Sequence, residues 1–178
     1  MHFNIEELEL IPFADPRMMV KPPAFDFEKD GDKAEELVKV LYEKMLALGG
    51  AGLSANQVGL PYRVFVIGNS KEHHAFFNPN VIGVGKEISV MEEGCVSLPG
   101  FSLTLRRPDV VALEYQNEKG ESTASSFNGI PARVVLHEYD HMEGINFTHH
   151  ASLFKLRYTL DRWKKRRKKL LRKMANGK

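Results

Sequence analysis

Hydrophobic residues recur at three- and four-residue intervals in the segment "DKAEELVKVLYEKMLALGG", residues 32–50, with charged residues between them. This spacing places the hydrophobic positions on one face of an α-helix. They are Leu37, Val40, Leu41, Met45 and Leu48. Asp32 and Glu35 are spaced as a capping box at the start, and Gly49 and Gly50 interrupt the pattern at its end. The segment is therefore predicted to be an amphipathic helix.

Short hydrophobic runs separated by Gly, Pro and Asn follow this helix. Runs of this length, rich in Val, Ile and Phe, predict β-strands. They read "YRVFVIG", "HAFFNPNVIG", "EISVME", "FSLTL" and "VVALEYQ". "NEKGES", residues 117–122, has the composition of a hairpin turn. Before the first helix, Pro12 and Pro16 predict an extended, looping segment.

Two further helices complete the pattern. Pro131 suits the first turn of a helix that would end near Gly144, and a last helix is predicted to begin near Ser152. A helix, many strands and then two helices predict an α+β fold, with antiparallel strands packed around the second helix. The chain has 178 residues, of which 43% are hydrophobic. It is long enough to bury its own core as one folded unit.

The second predicted helix carries a metal-binding pattern. In "LHEYDHMEGINF", residues 136–147, His137 and His141 are four apart, so both imidazoles can point at one ion. Glu138 would stand beside that ion and accept a proton from its water. One large group of zinc proteases has its third ligand where this chain has Phe147, which cannot bind an ion. Either the pattern is accidental, or the third ligand comes from elsewhere in the chain.

Cys95 is the candidate for that third ligand. It is the single cysteine and lies in "EEGCVSLPG", in or beside a strand interrupted by turn residues. A lone cysteine is commonly just a small buried apolar residue. Beside two histidines that lack a third ligand the metal role is favoured, since a thiolate and two imidazoles leave a fourth position for water or substrate. A single cysteine also excludes an internal disulfide and is typical of a reducing compartment.

A third segment combines glycines with one amide side chain. It reads "GGAGLSANQVGL", residues 49–60. Its glycines let the backbone approach a ligand closely, and Gln57 offers an amide donor. Taken alone, the segment favours an ordinary helix stop followed by a loop.

The net charge of +2 conceals an uneven distribution. Residues 155–178 contain 12 of the 25 Lys and Arg but only one of the 23 Asp and Glu, so they carry about +11 and the rest about −9. Hydrophobic residues form one stripe along this basic helix, interrupted by Arg167. They are Leu153, Leu156, Leu160, Trp163, Leu170 and Met174. We expect the first turns to pack on the body and the remainder to meet a polyanion, either RNA or a membrane surface.

The acidic N-terminal stretch "MHFNIEELEL" does not have the pattern of a signal peptide. The sequence also contains no run of 18 consecutive apolar residues. These features predict a soluble, intracellular protein without a membrane span.

Three segments together resemble a known family. "GAGLSANQVG", "EEGCVSLPG" and "HEYDHMEG", in this order, are similar to the three signature segments of peptide deformylases. The resemblance extends from about residue 8 to 150 and includes "DPR" at residues 15–17. Within these segments the chain has Ser54 where alanine is usual, Asn56 where proline or threonine is usual, and Val96 where leucine is more usual. These departures leave the candidate ligands unchanged.

The resemblance implies a metal-dependent hydrolase that removes the formyl group from the N-terminal formyl-methionine of nascent polypeptides in the cytoplasm. Its metal ligands would be Cys95, His137 and His141, and Glu138 would be the acid/base. Coordination chemistry alone allows zinc or ferrous iron. The resemblance implies Fe²⁺ in the cell, with Zn²⁺ or Ni²⁺ as substitutes in preparations.

The resemblance also implies how the substrate is held. The side-chain amide of Gln57 and the backbone N–H of Val96 would stabilise the oxyanion. Four further residues would form the substrate cleft with the ring of His137. They are Ala51, Gly52, Ile130 and Val134. Ile130 and Val134 are equally compatible with simple core packing.

Bacterial deformylases dock on the ribosome through a C-terminal helix, so the implied partner of this basic helix is ribosomal RNA. The implied division is a catalytic domain over residues 1–151 and a basic helix over 152–178. Two alternatives stand beside this interpretation. A zinc-dependent endopeptidase would need a third ligand other than cysteine, and a non-enzymatic RNA-binding protein would bind no metal.

Overall fold

Four α-helices and seven strands make up the part of the chain that the computed structural model describes, residues 3, 5 and 8–176. The helices are α1 (Phe27–Asp30), α2 (Ala34–Ala47), α3 (Gly129–Met142) and α4 (Leu153–Asn176). The strands are β1 (Gly52–Ser54), β2 (Val64–Gly68), β3 (His73–Val84), β4 (Ile88–Gly94), β5 (Ser102–Pro108), β6 (Val110–Gln116) and β7 (Ser122–Asn128). Short 3₁₀ helices cover Pro16–Met19, Gly31–Lys33, Ala55–Val58 and Phe147–His150.

The strands form two antiparallel sheets around α3. The larger has the order β1-β2-β3-β6-β7, and the smaller pairs β4 with β5. Along β2 the side chains alternate, as strand geometry requires. Val64 and Val66 face the core cluster that contains α2, whereas Phe65 and Ile67 face the cluster that contains α3. The predicted α+β architecture, with antiparallel strands around the second long helix, is confirmed.

The hydrophobic face of α2 is buried as predicted. Leu37, Val40, Leu41 and Met45 are at most 5% exposed, and Leu48 is half-buried at the end of the helix. The predicted capping box is wrong, because Lys33 occupies the N-cap and makes no side-chain cap. The 3₁₀ helix before α2 supplies a backbone cap instead, since the Ala34 N–H bonds the Gly31 carbonyl.

The five predicted strands correspond to β2 through β6, and the predicted hairpin turn joins β6 to β7. In that turn the Asn117 N–H donates to the Glu121 carbonyl over 3.0 Å. Gly120 takes a φ of +79°, which favours glycine. β1 and β7 were missed. β7 reads "STASSFN", and its polar residues form a strand through backbone pairing with β6 rather than through a hydrophobic pattern. The segment containing Pro12 and Pro16 forms a 3₁₀ helix at Pro16–Met19 instead of remaining extended.

The first half of α4 packs on a third core cluster. Leu156, Leu160 and Trp163 cover the buried Phe101 and Phe147 in that cluster. The stripe does not continue at either end. At the start of the helix, Leu153 is 77% exposed. Beyond Trp163, more than half of each hydrophobic side chain is exposed, in Leu170, Leu171 and Met174. Among the helices described, none combines the length and the apolarity needed to cross a membrane.

Candidate metal centre

The structure brings the three candidate ligands together at the junction of α3 and the smaller sheet. Cys95 follows the last residue of β4 and begins a turn in which the Leu98 N–H bonds its carbonyl over 2.9 Å. His137 and His141 lie one helical turn apart on α3, and all three side chains are buried. Their donor atoms lie within 4.8 Å of one another. This spacing allows one ion to contact all three.

The distances within this set suit a tetrahedral ion. The Sγ of Cys95 lies 3.6 Å from the Nε2 of His141. An ion at about 2.3 Å from sulfur and about 2.0 Å from nitrogen would separate such ligands by about 3.5 Å. Three protein ligands leave a fourth position, as in catalytic rather than structural sites. The donor set therefore fits the divalent ion that the sequence implies.

A buried carboxylate orients His137. The Nδ1 of His137 lies 3.2 Å from the Oε2 of Glu93, which leaves Nε2 for an ion. Glu93 is 4% exposed and also accepts hydrogen bonds from Arg107 and Arg133. Burial alone would raise the pKa of Glu93, but His137 and the two guanidinium groups hold it well below its usual range. Glu93 therefore stays ionised and fixes the imidazole, as carboxylate partners of metal-bound histidines do.

The network continues to the other side of α3. Asp140, next to the ligand His141, lies 2.8 Å from Arg107 and 2.9 Å from the Nε2 of His150. Burial opposes the charge on Asp140, but His150 and Arg107 outweigh it and lower its pKa. Arg107 thus connects β5 to two acids that flank the metal ligands. The sequence interpretation missed Glu93, Arg107, Arg133 and Asp140. A signal for Arg107 exists in "SLTLRRP", where alternation puts it on the buried face.

The two imidazoles differ strongly in pKa. Burial opposes protonation of His137, yet hydrogen bonds to Cys95 and Glu93 raise its pKa to about 10. Burial and the positive charge of His137 lower the pKa of His141 to about 3. Both rings must be neutral to bind an ion, and the lowered pKa of His141 favours that state.

Glu138 is a buried carboxyl group placed against β1. It is 3% exposed, and its Oε2 has no hydrogen-bond partner within the described chain. A Cβ on Gly52 would lie 2.6 Å from the Oε1 of Glu138, so only glycine fits at that point of β1. Burial raises the pKa of Glu138 to about 7, with the charge of His137 as the main opposing influence. Such a group can gain and lose a proton near neutral pH.

The amide of Gln57 is held in one orientation. Its Oε1 accepts hydrogen bonds from the backbone N–H of Ser54 over 2.9 Å and from the Ser54 hydroxyl over 2.8 Å. The Nε2 therefore points to the other side, where it lies 3.3 Å from the Sγ of Cys95 and 3.2 Å from Ser97. The sequence singled out Gln57 as an amide donor, and the structure places that donor beside the candidate ligands.

Asn56 ties the Gln57 segment to α3. Its Nδ2 donates to the carbonyl of the ligand His141 over 3.0 Å. In the part of the chain that is described, the Oδ1 of Asn56 and the Nδ1 of His141 are buried without a hydrogen-bond partner. Asn56 is 5% exposed and was known from the sequence only as a departure from the family pattern.

An open cleft of about 820 Å³ leads to this site. Its lining includes Cys95, Val96, Gln57, His137 and Glu138. The four residues predicted to form the substrate cleft, Ala51, Gly52, Ile130 and Val134, also line it. Ile130 is 70% exposed, which excludes core packing for that side chain. Val134 is half-buried and also packs against the core between α3 and the sheet.

Phe147 occupies the position where one protease group has its third ligand. Its ring is fully buried and packs 5.6 Å from the ring of His137, centroid to centroid. Phe147 therefore packs against the ring of His137 and supplies no donor atom. The third donor atom of the group is the Sγ of Cys95.

Comparison with known proteins identifies the relatives of this arrangement. The polypeptide deformylase family model matches residues 8–157. A peptide deformylase of Christiangramia forsetii is 35% identical over 167 residues, which cover 84% of this chain and 84% of the relative. One of Pseudothermotoga lettingae is 38% identical over 135 residues, covering 74% of this chain and 78% of the relative.

Solved structures agree with the sequence relatives. The crystal structure of a peptide deformylase from Synechococcus elongatus, in complex with actinonin, matches with a TM-score of 0.81 and 26% identity over 87% of this chain and 85% of that chain. The peptide deformylase of Thermotoga maritima matches with a TM-score of 0.74 and 31% identity, over 82% and 97%. These matches confirm the resemblance carried by the three segments: the chain belongs to the polypeptide deformylase family.

Proposed function

We propose that the chain removes the formyl group from the N-terminal formyl-methionine of nascent polypeptides, with Cys95, His137 and His141 as the metal ligands. The observation that carries this proposal is the convergence of these three donor atoms within 4.8 Å, next to Glu138, at the base of the cleft. Membership of the polypeptide deformylase family supports this hydrolysis and favours neither an endopeptidase nor a non-enzymatic RNA-binding protein.

The proposed ion is Fe²⁺, with Zn²⁺ and Ni²⁺ as substitutes that the same donors accept. Bound at the three ligands, a divalent ion would polarise the formyl oxygen and lower the pKa of water to about 7. Glu93 supports metal binding indirectly. Its contact with Nδ1 fixes the ring of His137 so that Nε2 would face the ion.

Glu138 acts as the general base and then as the general acid. It accepts a proton as water attacks the formyl carbon, and it donates that proton to the departing amine nitrogen. Two features support this role. Burial raises the pKa of Glu138 to about 7, and its unpartnered Oε2 can hold the transferred proton.

Gln57 and Val96 stabilise the negative charge that develops on the formyl oxygen. Gln57 contributes the N–H donors of its oriented amide, and Val96 contributes its backbone N–H. The Ser54 contacts support the role of Gln57, because a donor held in place before reaction needs no reorganisation. Loss of one such donor typically lowers the rate by about 10²–10³.

The cleft recognises an unbranched apolar side chain and the peptide backbone that follows it. Ile130, Val134 and the ring of His137 would contact the methionine side chain, with Ala51 at the mouth. Gly52 lies in β1, the edge strand of the larger sheet, so its free edge can pair with an extended peptide. Backbone pairing tolerates many sequences after methionine, which suits an enzyme that acts on all new chains.

One experiment separates the proposed function from its alternatives. The purified protein is assayed for metal content, and formate release from formyl-methionyl-alanyl-serine is measured. A deformylase binds about one metal per chain and releases formate. An endopeptidase would cleave internal amide bonds of longer peptides without releasing formate, and an RNA-binding protein would contain no metal and release none.

The basic end of α4 is proposed to meet ribosomal RNA, which would place the enzyme in the cytoplasm beside emerging chains. Residues 1–151 form the catalytic domain in this proposal, and 152–178 form the docking helix. The first turns of that helix pack on the catalytic domain through Leu156, Leu160 and Trp163. The basic side chains from residue 164 to 173 make no ion pair with any acid of the described residues. Their charge is therefore available to a polyanion.

A further inference from the structure

We propose that Trp163 is a positioning residue for the substrate cleft, because it anchors the far end of the loop that begins at Cys95. The loop spans residues 95–101 and is called the rim loop below. The inference rests on the proposed function only where it assigns the cleft to the peptide substrate.

The rim loop carries two parts of the proposed active site. Cys95 and Val96 stand at its start, and Pro99 and Gly100 lie near its far end. All four line the same 820 Å³ cleft as Glu138. A change at its far end therefore alters the shape of the cleft itself.

The near end of the rim loop is held by the active site. The Gln57 amide contacts the Sγ of Cys95 and the hydroxyl of Ser97 at 3.3 and 3.2 Å. Two successive turns follow, in which the Leu98 N–H bonds the Cys95 carbonyl and the Phe101 N–H bonds the Leu98 carbonyl.

The far end is held by α4. The indole Nε1 of Trp163 donates to the Pro99 carbonyl over 3.3 Å. The same indole packs edge-on against Phe101, with ring centroids 5.9 Å apart. A Cβ built on Gly100 would lie 3.7 Å from that nitrogen. Trp163 therefore contacts Pro99 and Phe101 and lies beside Gly100, the residue between them.

Loss of the indole N–H should affect substrate binding more than chemistry. The ligand Cys95 and the donor Gln57 keep their own contacts when the far end is released. The hydrogen bond is only partly shielded from water, since Trp163 is half-buried. Loss of a hydrogen bond of this strength is expected to raise KM about three- to ten-fold.

The competing explanation is that Trp163 merely packs α4 onto Phe101. Trp163→Phe separates the two, because phenylalanine keeps an aromatic ring against Phe101 and removes only the donor to Pro99. Trp163→Ala removes both. Tyr158→Phe is the matched control, since it removes a polar group from an exposed aromatic residue on the same helix.

The test compares the full-length chain and these three variants by hydrogen exchange and by steady-state kinetics. In Trp163→Phe we expect faster amide exchange at Leu98 and Phe101, a raised KM for formyl-methionyl-alanyl-serine, and a kcat within about two-fold of the parent. Tyr158→Phe should match the parent in all three. Exchange does not require catalysis, so it separates failure of the positioning role from failure of the proposed function.

Two results would overturn the proposal. One is a Trp163→Phe variant with parental exchange in the rim loop. The other is a variant that loses thermal stability while KM stays at the parental value, since that pattern belongs to a purely structural tryptophan. Trp163 is the sole tryptophan, so its emission provides a further check. Addition of the product peptide methionyl-alanyl-serine should change it saturably in the parent.

Discussion

Arginine residues lie in two opposite settings in this molecule. Behind the metal centre, Arg107 and Arg133 are 4% and 5% exposed, and both pair with Glu93. Along the second half of α4, Arg166 and Arg172 are exposed and have no acidic partner among the described residues. The first pair holds a metal ligand in place, whereas the second group leaves its charge to solvent or to a partner.

The difference shows that charge has a structural role in one region and an external role in the other. Removal of one partner from a buried ion pair leaves an uncompensated charge and costs about 3–5 kcal/mol. Exposed ion pairs are worth only about 0–1 kcal/mol, and exposed charges without partners less. Mutations in the buried region should therefore lower stability by several kcal/mol, whereas mutations in the exposed region should mainly affect binding to a partner.

The largest effect is expected at the ligand itself. Cys95→Ala should abolish metal binding at stoichiometric concentrations, because two histidines make an incomplete site. Metal content after gel filtration measures this, with circular dichroism to confirm folding. Cys95→Asp is the companion variant and should retain part of the metal, since carboxylate is also a ligand. Full metal content in Cys95→Ala would rule out the assigned third ligand.

A loss of turnover without a loss of metal is expected at Glu138. Glu138→Gln should lower kcat by about 10²–10⁴, because the amide keeps the shape but cannot transfer a proton. The base must be ionised, so the rate of the parent should fall as pH drops below about 7, the raised pKa of Glu138. Rates at matched metal content, measured from pH 5 to 9, test both statements. A variant with parental turnover would remove Glu138 from the mechanism.

These two sites also mark how far the sequence alone could lead. His137, Glu138 and His141 share one helix, so their spacing predicted their geometry, and the regular spacing in α2 predicted its buried face. Glu93, Arg107 and Asp140 were not predicted as a network. Their contacts depend on the β4–β5 register and on how α3 packs against β5, and neither is a property of local spacing. β7 was missed because pairing, not a hydrophobic pattern, makes it a strand.

A direct test of the comparison replaces one arginine in each region. Arg107→Met should lower the free energy of unfolding by about 3–5 kcal/mol. Glu93 keeps Arg133 and Asp140 keeps His150, but both lose the guanidinium they share, so the buried network lacks one positive charge. Arg166→Met, on the exposed half of α4, should change it by less than about 0.5 kcal/mol. Urea denaturation of the two variants and the parent gives both values. Equal destabilisation would contradict the division into structural and external charge.

The smallest effect on the enzyme itself is expected from removal of residues 168–178, which contain the run "KKLLRK" and leave the helical turn after Trp163 in place. The truncated chain keeps Leu156, Leu160 and Trp163, the residues of α4 that pack on the third core cluster. Its kcat and KM on formyl-methionyl-alanyl-serine should therefore stay within about two-fold of the parent. Its affinity for ribosomes should fall, because the lost basic residues would release counterions from RNA on binding. Co-sedimentation with purified ribosomes at low and moderate salt measures this, and the parent should lose binding steeply as salt rises.

Equal co-sedimentation of both chains would refute the docking role. Loss of activity on the short peptide would show instead that the basic run belongs to the catalytic fold.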